Sequence, residues 1–99
     1  MPDLLLTFHC ASRDTETIVE AIRAATRAPT HVREEAVRGR DFSDARTTEQ
    51  VTGNLRRSAI ELIVTDNGLE DVIRAVTDSR HRQPVRWRTL PVSRHGRIA

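Results

Sequence analysis

Two segments of the chain have apolar side chains at every second position, and they constrain the fold most strongly. They are residues 3–10 and residues 55–64. Because successive side chains of a strand point to opposite faces, each segment predicts a strand with one strongly apolar face. Each is followed by apolar residues at helical spacing, over residues 18–25 and 69–76. The chain therefore contains two strand–helix units.

Two weaker strands complete the pattern. Residues 31–38 predict a charged strand, and residues 85–92 predict a last strand. The order βαββαβ is typical of the ferredoxin-like plait, an α+β fold with a four-stranded antiparallel sheet and two helices on one face. In this fold the first and third strands are central. Pro91 lies in the predicted last strand, as an edge strand tolerates.

Helix boundaries can also be predicted. Ser12 or Asp14 is expected to cap the first helix, and Pro29 prevents its continuation. Asn67 and Glu70 have the spacing of a capping box at the start of the second helix.

The composition indicates one small domain over residues 1–99. With 3% aromatic residues, the core must be aliphatic, and a small core of this kind favours an oligomer. No run of about 20 apolar residues predicts a membrane span. The start of the sequence lacks the basic region of a secretory signal, and the single cysteine fits a reducing compartment. We therefore expect a cytoplasmic protein.

Positive charge is concentrated at the end of the sequence. Six arginines and no acidic residue occur from Arg80 onward, and every basic residue of the chain is arginine. One guanidinium group can donate two parallel hydrogen bonds to two oxygens of a phosphate or carboxylate. The pattern therefore favours a small anionic partner. A solvated edge strand protected by charge is the alternative reading. The residues that would form an anion clamp are Arg86, Arg88, Arg94 and Arg97.

Other functional classes have weaker support. An RNA-binding sheet would need aromatic residues on its central strands, where this chain has only Phe8, predicted to face the core. No set of nucleophile and base predicts an enzyme. The histidines and Cys10 do not follow a metal-binding spacing, although a metal site shared between subunits stays open.

The sheet face opposite the helices is predicted to be too apolar for solvent, which indicates an interface between subunits. Its predicted residues are Leu5, Thr7, His9, Leu55, Ala59 and Ile63.

Short motifs resemble those of the PII signalling superfamily. The AVRGRD stretch, residues 36–41, resembles the exit from strand two of PII proteins. The RWRTLPV stretch, residues 86–92, resembles their last strand, and Arg97-Ile98 follows at the corresponding spacing. The long polar connection after residue 39 lies where PII proteins carry their T-loop.

A closer resemblance is to a PII-like family encoded beside heavy-metal efflux transporters. It rests on Leu5-Leu6-Thr7, on residues 49–56 and on residues 87–98. The resemblance implies a homotrimer that binds a small anionic effector between subunits, an adenine nucleotide being the first candidate. It also implies a T-loop over residues 40–52 that docks on a partner, here an efflux transporter.

Carried over to this chain, the resemblance implies a ligand site at the base of that loop and on the last strand. Arg56 and Arg57 are expected to point to opposite faces, so that only one lines the cleft. The candidate site residues are Arg38, Gly39, Arg56, Arg57, Arg86, Arg88 and Arg97.

The sequence departs from PII proteins at their glycine-rich, phosphate-binding loop. Residues 78–84, DSRHRQP, contain no glycine. Anion binding by arginine is therefore a stronger expectation than binding by backbone amides. Two alternatives stay open: a metal-binding trimer resembling the CutA copper-tolerance proteins, and an interaction module without a ligand.

Overall fold

The computed structural model describes residues 3–38 and 54–99, and its elements follow the predicted order. Strand β1 and a short 3-10 turn lead into helix α1, and two antiparallel strands precede helix α2 and the last strand. The bounds are β1 Asp3–Ala11, turn Ser12–Asp14, α1 Thr15–Ala25, β2 His31–Arg38, β3 Asn54–Thr65, α2 Leu69–Thr77 and β4 Arg86–Val92. Each predicted strand agrees with its observed bounds to within one residue.

The four strands form one antiparallel sheet in the order β2-β3-β1-β4. The two apolar strands are central and the two charged strands are edges, as predicted. Pro91 lies on edge strand β4, opposite Leu4. The fold is the ferredoxin-like plait.

The core lies between the sheet and the two helices. Leu6 pairs with Leu62 and Phe8 with Ile60 across the central strands, and all four side chains are buried. Helix α1 contributes Ile18 and Ile22, and helix α2 contributes Val72 and Val76. Burying an aliphatic side chain of this size stabilises the fold by about 1.5–3 kcal/mol, so this core, which includes the fully buried Phe8, holds the helices to the sheet.

The helix starts differ from the prediction. Neither helix has a side-chain cap hydrogen bond at its N-cap residue, which is Asp14 for α1 and Gly68 for α2. At α2, the Thr65 hydroxyl accepts the hydrogen bond of the Gly68 N–H at 3.0 Å, in place of the predicted capping box at Asn67. The Asp14 carboxylate contacts another part of the chain, described below.

Candidate functional site

The sheet has a step at one end, where two strands stop and two continue. Strand β1 ends at Ala11, which pairs with Arg57, and the pairing of β1 with β4 ends at His9 and Arg86. Strands β2 and β3 continue through three further residue pairs, from Ala36–Arg56 to Arg38–Asn54. Residues 39–53, which include the predicted T-loop, connect the two strands and lie outside the described residues.

A cavity of about 400 Å³ lies at this step. All four strands contribute to it, because it follows the end of the sheet from one edge to the other. Its lining residues are His9 from β1; Glu35, Ala36, Val37 and Arg38 from β2; Arg57 from β3; and Arg86 from β4. The structure therefore brings together three of the seven predicted ligand-binding residues.

The described lining residues of the cavity carry an excess of positive charge. Among them are three guanidinium groups, those of Arg38, Arg57 and Arg86, and one carboxylate, that of Glu35. Arg57 is only 4% exposed and donates a hydrogen bond to the carbonyl oxygen of Arg56 at 3.1 Å. Arg57 and Arg86 make further polar interactions within the protein. An anion entering the cavity would meet guanidinium groups that the fold already holds in position.

His9 and Glu35 form a polar contact across β3. The Nδ1 atom of His9 lies 2.5 Å from Oε1 of Glu35, with both side chains about three-quarters buried. Sequence reasoning considered His9 only as a metal ligand or interface residue and did not assign Glu35 to the site. The alternation of β1 and β2 puts His9 and Glu35 on the sheet face opposite the helices, which we call the open face. Only the strand register brings the two side chains together.

A second cavity, of about 370 Å³, adjoins the step and is lined by both Arg56 and Arg57. The strand register places these arginines on opposite faces, as predicted. However, only Arg57 also lines the first cavity. The remaining lining residues of the second cavity are Ser12, Glu34, Glu35 and Ala36.

Three of the predicted site residues lie elsewhere or outside the described residues. Arg88 is exposed on β4, opposite Thr7, and does not line the cavity. Arg97 follows His95, whose Nε2 lies 2.6 Å from the Asp3 carboxylate at the far end of the sheet. Since β4 spans about 20 Å between Arg86 and Val92, one chain does not bring Arg97 to Arg86. Gly39 lies outside the described residues.

The glycine-free segment of residues 78–84 is held by an internal carboxylate. Asp14 is 2% exposed, and its two oxygens accept hydrogen bonds from the backbone N–H groups of Arg82 and Gln83, both at 3.0 Å. These amides therefore bind the protein's own carboxylate.

The open face of the sheet is apolar at the end away from the cavity. Leu5 lies between Leu90 and Ile63 on neighbouring strands, and Leu90 is 55% exposed. The expectation that Ala59 is left exposed to solvent on this face is wrong, since Ala59 is fully buried, and Thr7 is buried as well. Leu5 and Ile63 are partly exposed. On one side of Ala59 the His9–Glu35 contact crosses β3, and on the other side the Arg33–Glu61 ion pair joins β2 to β3.

Two titratable groups near the sheet have shifted pKa values. The hydrogen bond from Arg33 lowers the pKa of Glu61 below its usual value, and a weaker hydrogen bond from Thr7 acts in the same direction. Burial raises the pKa of the Cys10 thiol, which lies on the core face and is inaccessible to solvent.

Within residues 3–38 and 54–99, no group of three or more metal-ligating side chains is close enough to hold a metal ion. Over the same residues, neither helix has the length and apolar character needed to cross a membrane.

Comparison with known proteins identifies one matching family and several similar solved structures. A family described as "Protein of unknown function (DUF3240)" matches residues 2–99. No curated protein matches the sequence. A DUF3240 family protein from Shewanella baltica has a similar structure, with a TM-score of 0.75 at 13% identity, covering 100% of this chain and 99% of that one.

Two PII-like proteins also have similar structures. CPII, a nitrogen regulatory PII-like protein from Thiomonas intermedia bound to ADP, AMP and bicarbonate, gives a TM-score of 0.63 at 12% identity, covering 96% of this chain and 97% of CPII. A PII-like signalling protein from Thermus thermophilus gives 0.57 at 16% identity, with 93% and 90% covered. At these identities the similarity is one of fold.

Proposed function

Because this chain belongs to the DUF3240 family and has the fold of PII-like proteins, we propose that it is a regulatory protein that binds a small anionic effector. Residues 1–99 would form one PII-like domain with a regulatory and not a catalytic role. The observation that carries the proposal is the meeting of Arg38, Arg57 and Arg86 around one cavity at the base of residues 39–53.

An adenine nucleotide is the first effector to test. The structure of CPII contains bound ADP, AMP and bicarbonate, and all three ligands carry oxyanions. Phosphate and bicarbonate oxygens suit guanidinium groups, which donate hydrogen bonds in a fixed fork. Since the amides of Arg82 and Gln83 bind Asp14, the phosphate contacts in this chain would come from arginine side chains.

We propose that the protein forms a homotrimer in which the open sheet faces of the three subunits pack together. The exposed Leu90, next to Leu5 and Ile63, is a suitable contact for another copy. The cavity opens at the end of the same sheet, so trimer formation would place it near a neighbouring subunit. Arg97, which is distant from Arg86 within one chain, would then reach the site only from a neighbour.

The proposed T-loop, residues 40–52, follows soon after Arg38 in the sequence, and Arg38 lines this cavity. The loop would carry the effector signal to a partner. A heavy-metal efflux transporter at the cytoplasmic membrane surface is the proposed partner, on the family resemblance set out above. The proposed location is the cytoplasm, and nucleic acid is not among the proposed partners.

Calorimetric titration tests effector binding, with ADP, AMP, ATP and bicarbonate as the ligands. Arg86→Ala should weaken binding of the active ligand by about tenfold or more, the size of a charge-assisted hydrogen bond. Arg88→Ala is the matched control, because Arg88 lies on the same face of β4 and does not line the cavity. Equal effects of the two substitutions would contradict a site at the cavity, and no binding of any of these ligands would contradict the proposed effector class.

A further inference from the structure

One edge of the molecule is basic along its whole length. Residues 80–99 contain six arginines and neither Asp nor Glu. They follow that edge because β4 is an edge strand, and the tail after it is held at the start of β1 by the His95–Asp3 contact. All six arginines are exposed, and we call them the basic edge: Arg80, Arg82, Arg86, Arg88, Arg94 and Arg97.

Most of this charge is not neutralised within the protein. In the described part of the chain, the five arginines other than Arg86 have no ion pair or side-chain hydrogen bond. Arg86 has interactions of its own and lines the cavity, so the inference does not depend on it. Two carboxylates lie close in the sequence or the sheet. That of Asp3 already contacts His95, and that of Asp78 is exposed. The edge therefore presents a net positive charge to solvent.

The same stretch carries exposed apolar side chains. Trp87, Leu90 and Ile98 are 48%, 55% and 100% exposed, and they are the three most exposed large apolar residues in the described part of the chain. Leu90 lies on the open face and is assigned above to the subunit contact. Trp87 pairs with Phe8 and so lies on the face that carries the helices, which is the outer face of the proposed trimer. A single exposed apolar residue is ordinary, but this concentration among arginines indicates a surface that meets a partner.

We propose that the basic edge docks on an anionic phospholipid surface, with the arginines at the lipid phosphates and with Trp87 and Ile98 in the headgroup region. Tryptophan is enriched at membrane interfaces because its ring is apolar and its N–H is polar. Basic residues are attracted to the negative potential of anionic lipids. An acidic protein segment would need a groove to bury Trp87, which lines neither cavity at the step. The inference goes beyond the proposed function and does not depend on anion binding in the cavity.

Lipid vesicles test this surface in the unaltered protein. The probes are vesicles of phosphatidylcholine alone and of phosphatidylcholine with about one-third phosphatidylglycerol, which is anionic. The protein should sediment with the mixed vesicles and not with the neutral ones. The emission of Trp87, the single tryptophan, should shift to shorter wavelength as its ring leaves water. Raising the salt concentration from about 0.1 M to about 0.5 M should release the protein.

Two matched pairs of variants locate the contact. Arg82→Gln should weaken binding to mixed vesicles about fivefold, the effect of one basic residue near an anionic surface. Arg27→Gln is its control, because Arg27 is exposed in the loop before β2, at the opposite edge of the sheet. Trp87→Gln should weaken sedimentation with the vesicles by about tenfold or more, since it removes an apolar contact. Val32→Gln is its control, because Val32 is 47% exposed on the same face but on the other edge strand.

The outcomes separate this inference from the proposed function. Equal binding to neutral and mixed vesicles, or no binding to either, would overturn the inference and leave the anion site of the cavity unaffected. Equal losses in Arg82→Gln and Arg27→Gln would also overturn it, because attraction would then follow net charge alone. If polyglutamate shifts the Trp87 emission and neither kind of vesicle does, the edge binds an acidic protein segment and not lipid. Vesicle binding by a protein that binds no nucleotide or bicarbonate would support the inference and contradict only the proposed function.

Discussion

The carboxylate of Asp14 accepts a hydrogen bond from the backbone N–H of Arg82, 68 positions later in the sequence. With the matching bond from Gln83, it joins the start of α1 to the segment between α2 and β4. The two contacts hold this segment in place without glycine, and their strength can be measured.

Asp14→Ala should lower the free energy of unfolding by about 2–4 kcal/mol, because it removes two hydrogen bonds to a charged acceptor and leaves two amides without that partner. Urea unfolding at a fixed protein concentration measures the loss. Hydrogen exchange should become faster at the amides of Arg82 and Gln83 in particular. Asp78→Ala, an exposed change near the same segment, is the control and should alter stability by less than about 0.5 kcal/mol.

The Glu61–Arg33 ion pair should make stability depend on acid pH. The folded-state pKa of Glu61 lies below its unfolded value, so the pair contributes stability above the ordinary glutamate pKa of about 4.3. This contribution is lost as the pH falls through the lower, folded-state pKa. Since Arg33 is about half exposed, we expect it to be less than about 1 kcal/mol.

Arg33→Gln should flatten the decrease in stability between about pH 5 and pH 3, measured by thermal unfolding across that range. Arg23→Gln removes the partner of the exposed Glu20 on α1 and is the control. If both variants lose stability with the same pH profile as the unaltered protein, the pair makes no pH-dependent contribution.

Cys10 should be almost inert towards thiol reagents in the folded protein. Its side chain is fully buried, and burial raises its pKa, so thiolate forms and reacts only when the structure opens. We expect labelling by a disulfide reagent at pH 8 to be about a thousandfold slower than in urea. Cys10→Ala with Ser93→Cys moves the thiol to an exposed position and should react at once. Rapid labelling of native Cys10 would show that the core around β1 opens readily.

The apolar end of the open sheet face should hold the proposed trimer together. Leu90→Asp places a charge at this surface and should convert the trimer to an 11 kDa monomer in analytical ultracentrifugation at micromolar concentration. Val32→Asp is the matched control, because Val32 is 47% exposed but pairs with Ile60 and so lies on the other face. A monomer before any substitution would remove the trimer from the proposal.

Much of the fold was predictable because hydrophobic alternation is a local signal. The alternation of Leu4, Leu6 and Phe8 marks a central strand without reference to the rest of the chain. The site was less predictable, since it depends on strand register. His9 and Arg86 are opposite each other only because β4 pairs with β1 at that position.

Asp14 shows another limit of sequence reasoning. As an acidic residue just before a helix, it satisfies the pattern of an N-cap. Asp14 is instead buried beneath the segment before β4, where it accepts hydrogen bonds from that segment and makes none to the first turn of α1. No local sequence pattern indicates that two distant amides need an acceptor. Arg97 is placed by a tertiary contact in the same way, through His95 and Asp3.

The step at the end of the sheet has a mechanical consequence. Beyond the level of Ala11, residues 36–38 of β2 and 54–56 of β3 form a two-stranded ribbon, which no other described strand flanks. Two-stranded ribbons twist more strongly than wide sheets. An oxyanion held between Arg57 on the ribbon's root and Arg86 on the opposite edge strand would brace the ribbon against the rigid sheet. Binding of the effector would then fix the orientation of the ribbon relative to the rest of the sheet.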